Sequence, residues 1–135
     1  IALQPDVVSL LIGINDTWHH ADARDWMPLS VFEARYRQVL ERIRNETKAK
    51  LMVIEQYLFP VPDKTYFAED LAPKQACVRA LAKEYADVFL PAHELAQQAA
   101  AARGSDTFTA DGVHLNETGA RWLAETYAKA IAPLL

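Results

Sequence analysis

Short apolar runs alternate with amphipathic segments along this 135-residue chain. Three nearly continuous runs are rich in branched residues, which is typical of strands buried on both faces of a parallel sheet. They extend from Val7 to Ile12, over residues 51–54 and over residues 87–90. Because helical patterns lie between these runs, the sequence predicts an α/β fold with a parallel sheet.

Apolar residues repeat at helical spacing in four segments. The first follows Ser30, with Glu33 three residues later, a pattern typical of a capping box. The last follows Asn116, a residue that often caps helices. The other two cover residues 71–85 and 92–103.

Composition and charge exclude several classes to which this protein could belong. A hydrophobic content of 51% with a net charge of −4 predicts one folded domain over residues 1–135. The sequence pI near 5.5 and the lack of a basic run argue against nucleic-acid binding. No apolar stretch approaches the roughly 20 residues that cross a bilayer. Cys77 is the single cysteine, so no internal disulfide can form. This fits a cytoplasmic protein and equally a secreted protein without disulfides.

The first segment that could form part of a catalytic site is Gly13-Ile14-Asn15-Asp16, directly after the first predicted strand. Ligands of open α/β folds bind at this carboxyl end of the sheet. The Asn15 amide could donate a hydrogen bond to a developing oxyanion, and Asp16 could hold the turn through backbone N–H groups. The alternative is an ordinary strand-to-loop turn.

The second segment is Asp111-Gly112-Val113-His114-Leu115-Asn116, just before the last predicted helix. An aspartate three residues before a histidine can bind its Nδ1–H and turn Nε2 toward a nucleophile. Gly112 would allow the tight turn. The alternative is a surface loop in which Asp111 and His114 never meet.

In this order and context, the two segments resemble the Gly-x-Asn-Asp and Asp-x-x-His-x-Asn blocks of the SGNH hydrolases, also called GDSL-type lipases and esterases. The resemblance implies a three-layer α/β/α sandwich of flavodoxin-like type. It also implies that Asn15 is an oxyanion donor supported by Gly13 and Asp16, that His114 is the general base, and that Asp111 orients it. The implied substrate is a small ester, either a carbohydrate acetyl ester or a lipid-like ester, and no cofactor is required.

The chain departs from this family in two respects. The Gly-Asp-Ser block that carries the family's nucleophile, and a glycine block that supplies another oxyanion donor, have no counterpart here. Ser9 lies in a predicted strand, Ser30 caps a predicted helix, and Ser105 follows a helix rather than a strand. We therefore expect an N-terminal segment outside this chain to supply the serine, and this chain alone to be inactive.

A missing N-terminal segment would also affect the first predicted strand. In the flavodoxin strand order, the run from Val7 to Ile12 is central. Without the preceding βα units it would be an apolar edge, and such edges attract other strands. We expect the missing segment, a swapped copy or another chain to cover it.

Several aromatic and histidine residues could line a substrate cleft. Trp18 and His19 follow the asparagine block, and Tyr57 lies in residues 56–73, which hold three prolines and are predicted to form a long loop. An exposed loop would explain Trp18 and His19 equally well, and ordinary packing explains Tyr57 better than a substrate cleft does. A metal site is not expected, because no second cluster has ligand spacing.

Two other hypotheses stay open. The chain could keep the fold as a binding or interaction module without catalysis. It could also be an unrelated flavodoxin-like domain with chance motifs, in which case Asn15 and His114 would lie far apart.

Overall fold

A three-stranded parallel sheet forms the centre of the computed structural model, which describes residues 2–135. The strands lie in the order β1 (Val7–Leu10), β2 (Lys50–Ile54) and β3 (Val88–Leu90). In the register, Val8 pairs with Leu51, and Val53 pairs with Phe89. The predicted parallel α/β fold is confirmed, although pairing of the first strand ends at Leu10 rather than Ile12.

Five α-helices and three 3-10 turns surround the sheet in the described part of the chain. The 3-10 turns cover Pro62–Phe67, Ser105–Thr107 and Ala132–Leu134. The α-helices are α1 (Asn15–Trp18), α2 (Leu29–Glu46), α3 (Ala68–Tyr85), α4 (Ala92–Arg103) and α5 (Glu117–Ile131).

Two predicted helix starts are wrong. Pro28 occupies the N-cap position of α2, and its carbonyl accepts the N–H groups of Val31 and Phe32. Ser30 therefore lies inside the first turn and does not cap the helix. Helix α3 begins at Ala68, three residues before the predicted residue 71, so the end of the predicted loop over residues 56–73, Pro73 included, is helical.

Helices cover both faces of the sheet. Leu51 and Val53 of β2 pack in one core cluster with the inner faces of α2 and α3. The alternate residues Met52 and Ile54 pack in a second cluster with residues of α4 and α5. Because successive strand side chains point to opposite faces, the strand β2 is buried on both sides. The predicted three-layer α/β/α sandwich is confirmed.

Strand β1 is an edge of this sheet within residues 2–135, because it pairs only with β2. The chain that leaves it is partly open to solvent, with Leu11 38% and Ile12 43% exposed. No helix in the described part of the chain has the length and apolar character needed to span a bilayer.

Candidate active site

Gly13 turns the chain away from β1 at the carboxyl end of the sheet. Its φ of +111° favours glycine, and a Cβ there would lie 3.1 Å from both the Phe32 ring and the Gln56 amide nitrogen. The chain then enters α1, whose first residue is the exposed Asn15. The Asn15 side chain is thus presented to solvent at the end of the strand.

Asp16 makes a different contact from the one expected. Within residues 2–135, no backbone N–H donates to its carboxylate. Instead, its backbone carbonyl accepts a hydrogen bond from the Lys74 ammonium at 2.9 Å. Helix α3 therefore supports this turn in addition to the turn's own backbone hydrogen bonds, in which the Ile14 carbonyl accepts the N–H groups of Thr17 and Trp18.

Asp111 and His114 lie in a tight turn that Thr109 holds together. The Thr109 hydroxyl donates to the His114 carbonyl at 2.7 Å and accepts the N–H of Gly112 at 3.0 Å. Gly112 is buried and has a φ of +89°. A backbone bridge between Thr109 and Leu115 closes the turn. The sequence motif did not point to Thr109, which lies two residues before it.

The side chains of Asp111 and His114 meet. Nδ1 of His114 lies 2.6 Å from one carboxylate oxygen of Asp111, and the other oxygen accepts the N–H groups of Val113 and His114 at 2.9 and 2.8 Å. Burial alone would raise the pKa of Asp111, but these hydrogen bonds outweigh it and hold the pKa well below its usual range.

An ionised Asp111 selects one tautomer of His114. The carboxylate can only accept, so Nδ1 carries the proton and Nε2 is left as an acceptor. The His114 side chain is 79% exposed, so its ring is open to an incoming group. This arrangement can take a proton from a hydroxyl group.

The two motif segments lie side by side. The ring of Trp18, one helical turn after Asn15, is 5.8 Å from the His114 ring, at an angle of 70°. Ile14 and Val113 line one cavity of about 70 Å³ together with Gln56 and Tyr57. The hypothesis of chance motifs requires Asn15 and His114 to lie far apart, whereas Trp18, three residues after Asn15, contacts His114.

A larger open groove lies beside this contact. Trp18 and His19 line it, and its volume is about 430 Å³. The Lys64 ammonium is 5.0 Å from the centre of the Trp18 ring, and the Phe67 ring packs at 88° to the same ring. We call this the Trp18 groove; its lining is Trp18, His19, Ala21, Asp22, Asp63, Lys64, Tyr66 and Phe67.

Tyr57 contacts the His114 turn and lines the small cavity that Ile14 and Val113 share. Its hydroxyl donates to the Val113 carbonyl at 3.4 Å, and its ring packs edge-on against Phe59 and Trp122. Burial, and then the negative charge of Asp111, raise the pKa of Tyr57.

The hydroxyls of Ser105 and Ser9 are hydrogen bonded to groups other than His114. Ser105 donates to the Pro60 carbonyl at 2.6 Å, and Ser9 shares a 2.7 Å hydrogen bond with Tyr127. Ser30 lies in the first turn of α2. Within residues 2–135, no serine is hydrogen bonded to His114, and no group of three or more His, Cys, Asp or Glu side chains is placed to hold a metal ion.

Solved structures share this fold. A GDSL-like lipase from Parabacteroides merdae ATCC 43184 matches 99% of this chain with a TM-score of 0.85 and 24% identity. Axe2, an acetylxylan esterase from Geobacillus stearothermophilus, matches 96% with a TM-score of 0.83 and 21% identity. LAE5, an α/β hydrolase enzyme from the metagenome of Lake Arreo, Spain, matches 99% with a TM-score of 0.84 and 17% identity.

This chain spans only part of these proteins, namely 63%, 61% and 63% of their respective lengths. A comparison with curated proteins finds no match. The family model of the GDSL-like lipases and acylhydrolases matches residues 1–122. The chain therefore belongs to the GDSL-like lipase/acylhydrolase family.

Proposed function

We propose that this chain supplies the base and the oxyanion asparagine of an ester hydrolase. One observation carries the proposal: His114 is bound through Nδ1 to an ionised Asp111 at 2.6 Å, while its ring is open to solvent. That arrangement prepares Nε2 to accept a proton from a nucleophile. The contact between Trp18 and His114 supports placing Asn15 in the same site.

The reaction follows the chemistry of these groups. A serine hydroxyl attacks the acyl carbon while His114 Nε2 takes its proton, and Asp111 stabilises the imidazolium that forms. The Asn15 amide donates to the oxyanion of the tetrahedral intermediate. His114 returns the proton to the departing alcohol, and water then releases the acyl group by the same proton path. No cofactor takes part in these steps.

We assign the nucleophilic serine to polypeptide outside residues 1–135. Ser9, Ser30 and Ser105 each have another position or partner, as described above. The open edge of β1 and the exposed Leu11 and Ile12 offer a place where a further strand could pair. A segment that pairs there would lie beside the Gly13 turn.

The substrate side of the site favours a polar alcohol over a lipid. The Trp18 groove combines the aromatic Trp18 and Tyr66 with the charged Asp22, Asp63 and Lys64. Such a surface suits a carbohydrate acetyl ester better than a long acyl or alkyl chain. The solved structure named as an acetylxylan esterase has a substrate of this kind.

A fluorophosphonate label tests the proposal, because it bonds covalently to an activated serine. The native gene product is incubated with the label and digested, and the labelled peptide is identified by mass spectrometry. Hydrolysis of an aryl acetate is measured in parallel for the parent protein, His114→Ala and the surface control Arg121→Ala.

Each outcome has a distinct meaning. Label on a serine outside residues 1–135, with activity lost only in His114→Ala, supports the proposal. Label on Ser105 would refute the assignment of the nucleophile. Neither label nor hydrolysis would favour a binding module that keeps the fold without catalysis.

A further inference from the structure

The helix that presents Asn15 is too short to hold itself in place. Helix α1 has four residues, Asn15–Trp18, and no side chain caps its start. An isolated helix of this length is unstable in water, since nucleation is costly and few hydrogen bonds form. Its orientation must therefore come from contacts with the rest of the protein.

Helix α3 provides a buried polar anchor for α1. The Thr17 hydroxyl donates to the Asp70 carboxylate at 2.6 Å, and Lys74 binds the same carboxylate oxygen at 2.5 Å. Lys74 also donates to the Asp16 carbonyl at 2.9 Å. Thr17, Lys74 and Asp70 are only 0%, 1% and 6% exposed, respectively.

These contacts bracket Asn15. The residue that follows it, Asp16, is bound through its carbonyl, and Thr17 is bound through its side chain. On the other side of Asn15, Ile14 packs in an apolar cluster with Trp18, Leu71 and Phe67. The exposed Asn15 thus takes its direction from neighbours that α3 holds on the inner side.

We propose that Lys74, together with Asp70 and Thr17, is a positioning residue that sets the Asn15 amide for oxyanion binding. The inference rests on the proposed function for its catalytic consequence, although none of the three side chains needs to touch the substrate. An ammonium group suits the role because it can donate several hydrogen bonds at once, here to a carboxylate and to a backbone carbonyl.

Stability alone is a weak reason for this arrangement. Burying an ion pair costs desolvation, and apolar residues of similar volume often stabilise a core equally well or better. An apolar side chain at position 74 could fill the space beside Phe32 but could not bind the Asp16 carbonyl. The polar group adds direction, which an oxyanion donor requires, since small displacements weaken transition-state binding.

Thr17→Val is the sharpest variant, since it removes one hydroxyl and leaves the Lys74–Asp70 pair in place. Thr17→Ser keeps the hydroxyl and is the rescue variant, while the exposed Thr118→Val controls for the chemical change. Lys74→Met combined with Asp70→Asn removes the anchor without leaving an unpaired buried charge. Lys83→Met, at an exposed position of the same helix, is its control.

Two readouts are measured on the native gene product. The first is aryl acetate hydrolysis, in which we expect Thr17→Val to lower kcat by about tenfold with little change in KM, a fraction of what losing the donor would cost. The second is NMR of the Asn15 side-chain amide and the exchange rates of the α1 backbone amides. We expect the Asn15 amide signals and the α1 exchange rates to change in Thr17→Val and in the double variant. In Thr17→Ser we expect both quantities to match those of the parent protein.

The outcomes separate this inference from the proposed function. If the parent protein hydrolyses the ester and Thr17→Val retains its kcat, or Thr17→Ser is equally impaired, the inference is overturned. If the parent protein hydrolyses nothing, the proposed function fails, and NMR alone decides on the anchor. If Thr17→Val and the double variant leave the Asn15 resonances and the α1 exchange rates unchanged, the anchor is overturned. If both variants change them and the two control variants do not, the anchor is supported.

Discussion

The backbone N–H of Phe59 donates to the carbonyl of Gly112 at 2.8 Å, which joins the Asp111–His114 turn to the segment that leaves β2. Phe59 is fully buried and stacks against Phe108 with ring centres 5.2 Å apart. The exposed His114 ring therefore stands on a backbone that is fixed to the core. A rigid support of this kind lets a general base keep its geometry without burying its own ring.

Gly112→Ala should release this support. A Cβ at Gly112 would lie 2.9 Å from the Phe59 carbonyl oxygen, and the φ of +89° adds strain for any other residue. We expect the free energy of unfolding to fall by about 3 kcal/mol, measured by urea denaturation. Gly104→Ala is the matched control, since its φ is +82° but its Cβ would meet only the flexible Asp106 side chain.

In the control Gly104→Ala, the free energy of unfolding should fall by less, about 1–2 kcal/mol, from backbone strain alone. Equal losses in the two variants would show that the contact with the Phe59 backbone adds nothing.

In the native gene product, Asp111→Asn should impair the proposed ester hydrolysis through the histidine tautomer. The asparagine amide can donate to Nδ1, which would move the proton of His114 to Nε2 and remove the base. We expect kcat for an aryl acetate to fall by roughly 10³- to 10⁴-fold with a small change in KM. Asp106→Asn makes the same chemical change at an exposed site nearby and should leave kcat unaltered. Retention of more than a tenth of the activity in Asp111→Asn would contradict the assigned role.

Features that depend on contacts between residues close in sequence could be predicted, because the sequence itself shows both partners of each contact. Asn116 caps α5 by accepting the Gly119 N–H at 2.9 Å, a contact over three residues. The bond between Asp111 and His114 also spans three residues, so its motif has direct geometric meaning. The apolar runs identified the strands because parallel strands are buried on both faces.

Features that depend on distant partners could not be predicted. Lys74 lies 58 positions from Asp16, and its ammonium finds that carbonyl only after α1 and α3 have packed. The predicted start of α2 at Ser30 is wrong because the Pro28 carbonyl, two residues earlier, already accepts the first helical N–H groups. The nucleophile is a different case, since none of the serines in residues 2–135 makes a hydrogen bond to His114.

Asn15→Asp in the native gene product tests the proposed role of Asn15 as oxyanion donor, because aspartate has nearly the same shape but its carboxylate cannot donate. The added negative charge would also repel the oxyanion. We expect kcat for an aryl acetate to fall by at least 10²-fold, the usual cost of losing one such donor. Asn45→Asp, at an exposed position near the end of α2, is the matched control. A kcat within twofold of the parent would remove Asn15 from the mechanism.

His93 should make folding sensitive to mild acid. Burial, and then the positive charge of Arg79, lower the pKa of His93 below its usual range. Its Nδ1 accepts the Leu58 N–H at 3.2 Å, a contact that requires an unprotonated Nδ1. The unfolded chain, in which a histidine titrates near pH 6.5, therefore takes up a proton more readily than the folded protein.

The sign follows from this difference. When the folded-state pKa of a histidine is lowered, the free energy of unfolding falls as the pH drops through the unfolded-state value, from about 7 toward 5. His93→Asn keeps an acceptor near the position of Nδ1 but cannot titrate, so its stability should vary less with pH in this window. Urea denaturation of both proteins at several pH values between about 5 and 8 measures the effect. Parallel curves would show that His93 does not contribute, whereas curves that diverge below pH 7 would show that its neutral form, which accepts the Leu58 N–H, stabilises the fold.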